Sequence, residues 1–599
     1  MVMQAPSGSF PTPLRAPKRP HRRYPAWAAC VLLLCSGPPA LAQSEKPSPT
    51  APAAQATTKD VFINGSITQK SAWKRADSDH VVVFCKCSAD ELRRVTNNLE
   101  RLFSLMSRLY RHGESTDDTL KMQVTLIDSA SRFRALGLRE LRSQEGPFSA
   151  TFANQRYYDP RDDGEVLAVA QADQLIDLNT MRRFNLDCDD YLAHGGMELC
   201  GGHVPVHAPV VRSWEAVLYS GFAQHFILTY VPAAYPRWYL DGIGALFSTI
   251  DVQRDGAMDY ARAPVGYQEV FHSYGYPDAG AILTGRYLDA NQNKTSWSPY
   301  DAWLLAHYFL FSNLKPDRRR QFQQYMTAIH QGAPMAEAVK AFGDMRRLQR
   351  EIVSHAETAV AFAHADAPKV PGEDPLITPL SVTRAALIEA KIELETRLAA
   401  PLADAPAPAT NATGVDWLAR LRNTVAQLPY DADALLLVAE AECRSGHYDE
   451  CLATADRVLA RSPDNVLALA WKGIALTDQA VAGPAADSGA ILAIARRTIE
   501  RGIALDSQAP LPEIAYFQSF TKAGERVPQP AMLGMAKVIQ AVPAAPGPRL
   551  YLAQELLRQG DAGLARRLLY PVLHGSYDSP EKRLGEKLFS SAGGTSGGH

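Results

Sequence analysis

Within the stretch from Ser213 to Thr249, SWEAVLYSGFAQHFILTYVPAAYPRWYLDGIGALFST, two positions have the spacing of paired metal ligands on a helix but not their chemistry. Ser220 and Gln224 stand one helical turn apart and project to one face, the geometry with which two helical side chains grip a single ion. Asp241 is the carboxylate on the element that follows. Zinc sites are built from imidazole, thiolate and carboxylate, so the neutral oxygens of Ser220 and Gln224 leave Asp241 as one good ligand where a catalytic site needs three. Gly221, between them, has no side chain to take a proton from a metal-bound water. His225 is the one imidazole on this helix, and it is rotated about 100° from position 224. It could serve only if the helix docked in a shifted register. Glu215 lies more than a turn upstream of Ser220, so no second acid is placed beside Asp241. The simplest product is a polar, hydrogen-bonded group without an ion.

Two helices must position these residues. Val217, Leu218, Phe222, His225, Phe226 and Thr229 recur at helical spacing and predict a buried helix over 214–230. A second helix is expected from about Leu240, with Tyr235 to Trp238 non-helical at first, because Pro236 disfavours the helical region for the residue before it. The frame resembles that of gluzincin-type zinc metallopeptidases, in particular bacterial exported proteins that pair such a domain with tetratricopeptide repeats. VLYSGFAQHF stands where those have V-L-x-H-E-x-x-H-H, and PRWYLDGIGALFS where they have P-x-W-x-x-E-G-x-A-x-x-F. By that resemblance Ser220 and Gln224 occupy the histidine positions, Gly221 the general-base position and Asp241 that of the third ligand. YDAWLLAHYFLF (300–311) resembles the family's Y-x-x-W-x-L-x-H-Y helix, with His307 read as a packed core residue. The resemblance implies an α+β gluzincin-like peptidase domain followed by an all-α tetratricopeptide-repeat solenoid, with no catalytic residue and no cofactor expected.

The remaining chain divides around this core. Residues 1–42 read as a signal peptide: Arg15, Lys18, Arg19, Arg22 and Arg23 precede the apolar run AWAACVLLLC and the small-residue site Ala40-Leu41-Ala42. That implies export, to the periplasm or beyond. The run is short for a membrane span and no later stretch approaches that length, so no transmembrane span is expected in the mature chain. Residues 43–58 are a Pro/Ala/Ser/Thr tether. The peptidase-like domain is expected over 59–364, opening with strand HVVVFCKC (80–87), a helix capped by Ser88, and strand LKMQVTLID (120–128). GPFSATF and EVLAVAQA are further strand candidates. HADAPKVPGEDP then breaks the pattern, and 365–414 is read as linker with a connecting helix.

Residues 415–599 carry the repeat signal. Ala432 to Asn465 matches a thirty-four-residue unit with Ala439 and Cys451 at the small positions and Gly446 at the turn; 549–573 repeats it with Ala553, Gly560 and Ala565. Such units stack because none buries its apolar face alone. Of the cysteines, Cys188 and Cys200 flank a loop-like segment and are the disulfide candidates, while the pairing of Cys85, Cys87, Cys443 and Cys451 stays open. His203 and His207 in the same segment are alternative metal ligands, although Pro205 between them prevents a shared helical face.

At 46% hydrophobic and 21% charged the chain is globular. Loss of the five basic residues of the leader takes the formal charge from −2 to −7, which argues against a nucleic-acid binder. Two function classes follow. The first is an exported, non-catalytic protein that holds a peptide or protein partner through the repeat groove. The second is a metallopeptidase with an unconventional zinc site drawn from His225, Asp241 and the His203/His207 loop.

Overall fold

The computed structural model describes residues 70–110, 120–138, 156–176, 210–288, 299–358, 360–367, 374–398, 414–573 and 580–593. The leader, the tether, GPFSATF, the Cys188/Cys200 pair, His203, His207 and nearly all of the 400–414 linker lie outside these residues.

A mixed six-stranded sheet forms the base of the N-terminal part. Strands β1 (Lys70–Asp77) and β2 (Val81–Cys85) pair antiparallel, and β2 then feeds helix α1 (Ala89–Tyr110). The Ser88 hydroxyl accepts from the Glu91 amide at 3.1 Å, the cap that its sequence predicts. Leu92, Val95, Leu99, Leu102, Phe103 and Met106 form the buried stripe of α1. The crossover returns as β3 (Met122–Ile127), parallel to β2. A hairpin of β4 (Arg156–Arg161) and β5 (Gly164–Ala170) follows, with β5 parallel to β3.

The segment beyond the proline-rich break does more than connect. Residues Leu376–Ser381 form β6, which pairs antiparallel with β1 and completes the order β6-β1-β2-β3-β5-β4. Pro379 interrupts the strand pattern in the sequence, and an edge strand tolerates it. Helix α5 (Val382–Leu398; α2 to α4 precede it and are given next) lays Ala385, Ile388 and Ile392 against Trp73, Phe133, Val166 and Ala168. It thereby covers the sheet face opposite α1.

Helix α2 (Trp214–Tyr230) is apolar nearly all round and correspondingly buried, packing on β4, β5 and α1. The Ser213 hydroxyl accepts from the Ala216 amide at 3.2 Å to start it. Helix α3 (Arg237–Ser248) begins three residues before the expected Leu240: Pro236 is itself the extended N-cap, and Arg237 and Trp238 are already helical. A proline constrains the residue before it, not those after it. Helix α4 (Pro299–Phe311) packs on the far side of α3. His307 is buried there, its Nδ1 2.9 Å from His355 Nε2 and its Nε2 3.0 Å from the Ala361 carbonyl.

The C-terminal part is all helix: α6 (Gly414–Val425), α7 (Ala432–Arg444), α8 (Tyr448–Leu459), α9 (Val466–Ala482), α10 (Ala485–Leu505), α11 (Pro510–Thr521), α12 (Gln529–Ala541), α13 (Pro546–Arg558), α14 (Ala562–Leu573) and α15 (Pro580–Gly593). Each packs on the next, and α7, α9 and α11 also pack in succession. The small positions Ala439, Cys451, Ala553 and Ala565 are fully buried, and Gly446 and Gly560 take positive φ at the turns. Cys443 and Cys451 are disulfide-bonded between α7 and α8, and Cys85 is bonded to Cys87.

The two parts meet at the turn between β4 and β5. Asp163 pairs with Lys391 of α5 at 3.2 Å, and the Asp162 carboxylate lies against Gly547 of α13, where a Cβ would sit 2.7 Å from its Oδ1. Beside it, Arg444 of α7 grips both oxygens of Glu395 at 2.5 and 2.8 Å. The Leu120 amide also donates to the Ala541 carbonyl of α12 at 3.3 Å.

Candidate functional site

The residues singled out by spacing lie where α2, α3 and the edge hairpin of the sheet converge. Ser220 and Gln224 do share a face of α2, and that face is pressed against α3 at Gly244. A Cβ at Gly244 would meet Ser220 Oγ at 2.7 Å and Gln224 Nε2 at 2.9 Å, so a side chain there would have to displace both polar ends. The Gln224 amide donates to the Leu240 carbonyl at 3.1 Å. Its amide nitrogen thus ties α2 to α3, with the residue 8% exposed.

Arg156 of β4 lies across the same turn of α2. Its Nη1 donates to Ser220 Oγ at 3.4 Å, and its stem covers Gly221, where an added Cβ would come within 3.0 Å of Arg156 Cδ and 3.1 Å of Leu167 Cδ1. Gly221 is therefore a packing glycine under the sheet. Asp241 bonds back to Arg237, one turn earlier on α3, at 3.1 Å, with the two side chains 6% and 3% exposed. Desolvated charges of this kind persist when they are matched in place.

The donor set does not suit a zinc ion. Ser220 and Gln224 contribute neutral groups, Asp241 is matched by a guanidinium, and a second guanidinium, Arg156, stands at Ser220. Like charge in a water-poor site repels a divalent cation strongly. Among the described residues, no three His, Cys, Asp or Glu side chains are grouped so as to hold a metal.

His225 points into a separate network. Its Nδ1 lies 3.2 Å from Thr229 Oγ1 and 3.4 Å from the Tyr158 hydroxyl, and Thr229 Oγ1 donates to Glu165 Oε1 at 3.1 Å. Burial drives the His225 ring down to about 3 and holds it neutral. Burial likewise pushes Glu165 up to about 7, against the hydrogen bonds that favour its charged form, and its Oε2 has no hydrogen-bond partner. A neutral imidazole and a carboxyl whose burial favours its protonated form thus share the Thr229 hydroxyl. Sequence reasoning missed Glu165. Its one visible signal is an acid inside the otherwise apolar run GEVLAVA, a polar residue on a strand buried along its whole length.

No family model matches the chain, and no curated protein matches it. Among solved structures, the chain is similar to a thermophilic TPR protein of Thermus thermophilus, at 16% identity over 30% of this chain and 89% of that one, with a TM-score of 0.27. A likeness of that size fixes neither the fold nor the function of this chain.

Proposed function

We propose that this chain is an exported, non-catalytic protein whose α/β part and helical array serve to hold a peptide or protein partner, in the architecture of a degenerate zinc-peptidase-like domain followed by tetratricopeptide-like repeats. The observation that carries the reading is the pair of guanidinium groups at the polar positions: Arg156 against Ser220 and Gly221, and Arg237 bonded to Asp241. Such an arrangement offers an ion one carboxylate that is already bonded to a guanidinium, and its water no base, which supports the non-catalytic reading. The regular packing of α7 to α15, with small residues at the crossings, supports a surface-building role. The basic and apolar character of residues 1–42 supports export.

The test is elemental analysis of the untagged protein prepared with zinc supplied, beside digestion of an unfolded protein substrate. Well under one equivalent of zinc and no cleavage are expected. A stoichiometric ion that is lost on Asp241→Ala, together with cleavage, would instead establish the metallopeptidase reading through His225, Asp241 and the His203/His207 loop.

A further inference from the structure

We propose that Cys85-Lys86-Cys87 is a thiol–disulfide exchange site that accepts two electrons from a dithiol of a partner protein. The pair sits where strands β2, β3 and β5 all end in the same direction, the edge of a parallel sheet at which α/β folds place their reactive groups. Cys85 is the last residue of β2, and Cys87 immediately precedes Ser88, the cap of the 22-residue helix α1. The partial positive charge of a helix start favours a thiolate there. Lys74 Nζ donates to the Cys87 carbonyl at 2.6 Å, and Lys86 lies between the two sulfurs' residues, its Nζ 2.8 Å from Asp128 and 5.3 Å from the Trp73 ring centre. Asp90 and Glu91 in the first turn of α1 oppose these cations, and Asp90 is itself bonded to Arg93 at 2.9 Å.

Exposure makes the pair asymmetric, as exchange requires. Cys85 is fully buried, whereas Cys87, packed at the margin of the core, is only half-buried and is the more accessible of the two. Gln171, at the end of β5, holds its Oε1 3.8 Å from Cys85 Sγ, ready to accept from the thiol released there. A structural role explains the pair poorly. A bridge across one intervening residue closes a very short loop and removes little freedom from the unfolded chain. The segment is already fixed by ladders to β1 and β3 and by the helix cap. The other bridge offers the contrast: Cys443 is 5% exposed, Cys451 is fully buried, and the pair joins two helices that pack together.

The step balances as follows. A partner thiolate attacks Cys87 Sγ, the Cys85–Cys87 bond breaks, and its electron pair leaves on Cys85, which takes a proton from solvent. The partner's second thiol, losing its proton, attacks its own sulfur in the mixed disulfide and releases Cys87. The partner ends as a disulfide and the chain as a dithiol.

The test follows the two bridges of the full-length protein by differential alkylation and mass spectrometry during reduction with dithiothreitol, with the urea-unfolded chain as reference. Cys85–Cys87 should open ~tenfold faster in the folded protein than in the unfolded chain, because the helix start and Lys86 beside Cys87 draw the attacking thiolate to it, with Cys443–Cys451 lagging. In single variants, Cys85→Ser should form a mixed disulfide with glutathione at Cys87, while Cys87→Ser leaves Cys85 unreacted. Opening no faster than in the unfolded chain overturns the proposal, as does reaction at Cys85 in preference to Cys87. If either variant fails to fold, the rate comparison on the unaltered protein decides alone.

Discussion

Replacing Arg237 by Met isolates what the Arg237–Asp241 pair contributes. The two groups are 3% and 6% exposed and 3.1 Å apart, so removing the guanidinium leaves a carboxylate without the partner that Arg237 now provides. Breaking a buried pair from one side costs about 3–5 kcal/mol, whereas replacing both partners with apolar groups of similar volume is close to neutral. Arg237→Met and Asp241→Leu should therefore each destabilise by roughly 3–5 kcal/mol, and the double variant by less than either, a coupling on the order of 2 kcal/mol or more. For a unit of this size, at about 2 °C per kcal/mol, each single variant should melt roughly 6–10 °C lower. Urea unfolding of the four proteins closes the cycle. A cost below about 1 kcal/mol for Arg237→Met, with additive singles, refutes the reasoning. It would mean that Asp241 is held for something other than Arg237, which is what a surviving metal site would require.

Four further outcomes follow from the packing and the buried acids and bases. Gly242→Ala places a methyl 2.5 Å from Ala306 Cβ and 2.8 Å from the Ala302 carbonyl, so α3 and α4 must separate at a cost of about 1–3 kcal/mol. Gly489→Ala, in open space on α10, should stabilise by up to about 1 kcal/mol, and chemical denaturation measures both. Glu165 is raised to about 7 from an ordinary 4.5, so its contribution is full below 4.5 and is lost as pH rises through 7. Glu165→Gln should flatten the fall in urea midpoint between pH 5 and 8, and an unchanged slope counts against the assignment. His225 moves the other way: lowered to about 3, it leaves the unfolded chain alone to bind a proton below 6.5, so stability falls as pH drops from 6.5 toward 3. His225→Phe should reduce that acid sensitivity in the same titration.

What could be read from the sequence was local. The stripe on α1, its Ser88 cap, the length of α2 and the small residues Ala439, Cys451, Ala553 and Ala565 follow from periodicity, capping and close crossing, each decided within a few residues. The spacing of Ser220 and Gln224 correctly put them on one face of α2. What covers that face was not legible, because Arg156 arrives from a strand sixty-four residues earlier and Gly244 from the next helix. Strand β6 was hidden by Pro379, which reads as a breaker until the strand is known to be at an edge. The start of α3 was placed late because the constraint of Pro236 was extended to residues it does not govern.

The seating of the β4–β5 turn against α13 has a consequence for any partner. The helical array already carries a ligand, supplied by its own chain and held there by covalent continuity. A tethered segment of this kind acts at an effective concentration on the order of millimolar, so a peptide aimed at the same helix competes with Asp162 before it meets an open surface. Its apparent affinity is lowered by the fraction of time the turn stays docked. Binding at that face therefore reads out the separation of the two halves of the molecule, while a partner using the opposite faces of the helices binds without disturbing the sheet.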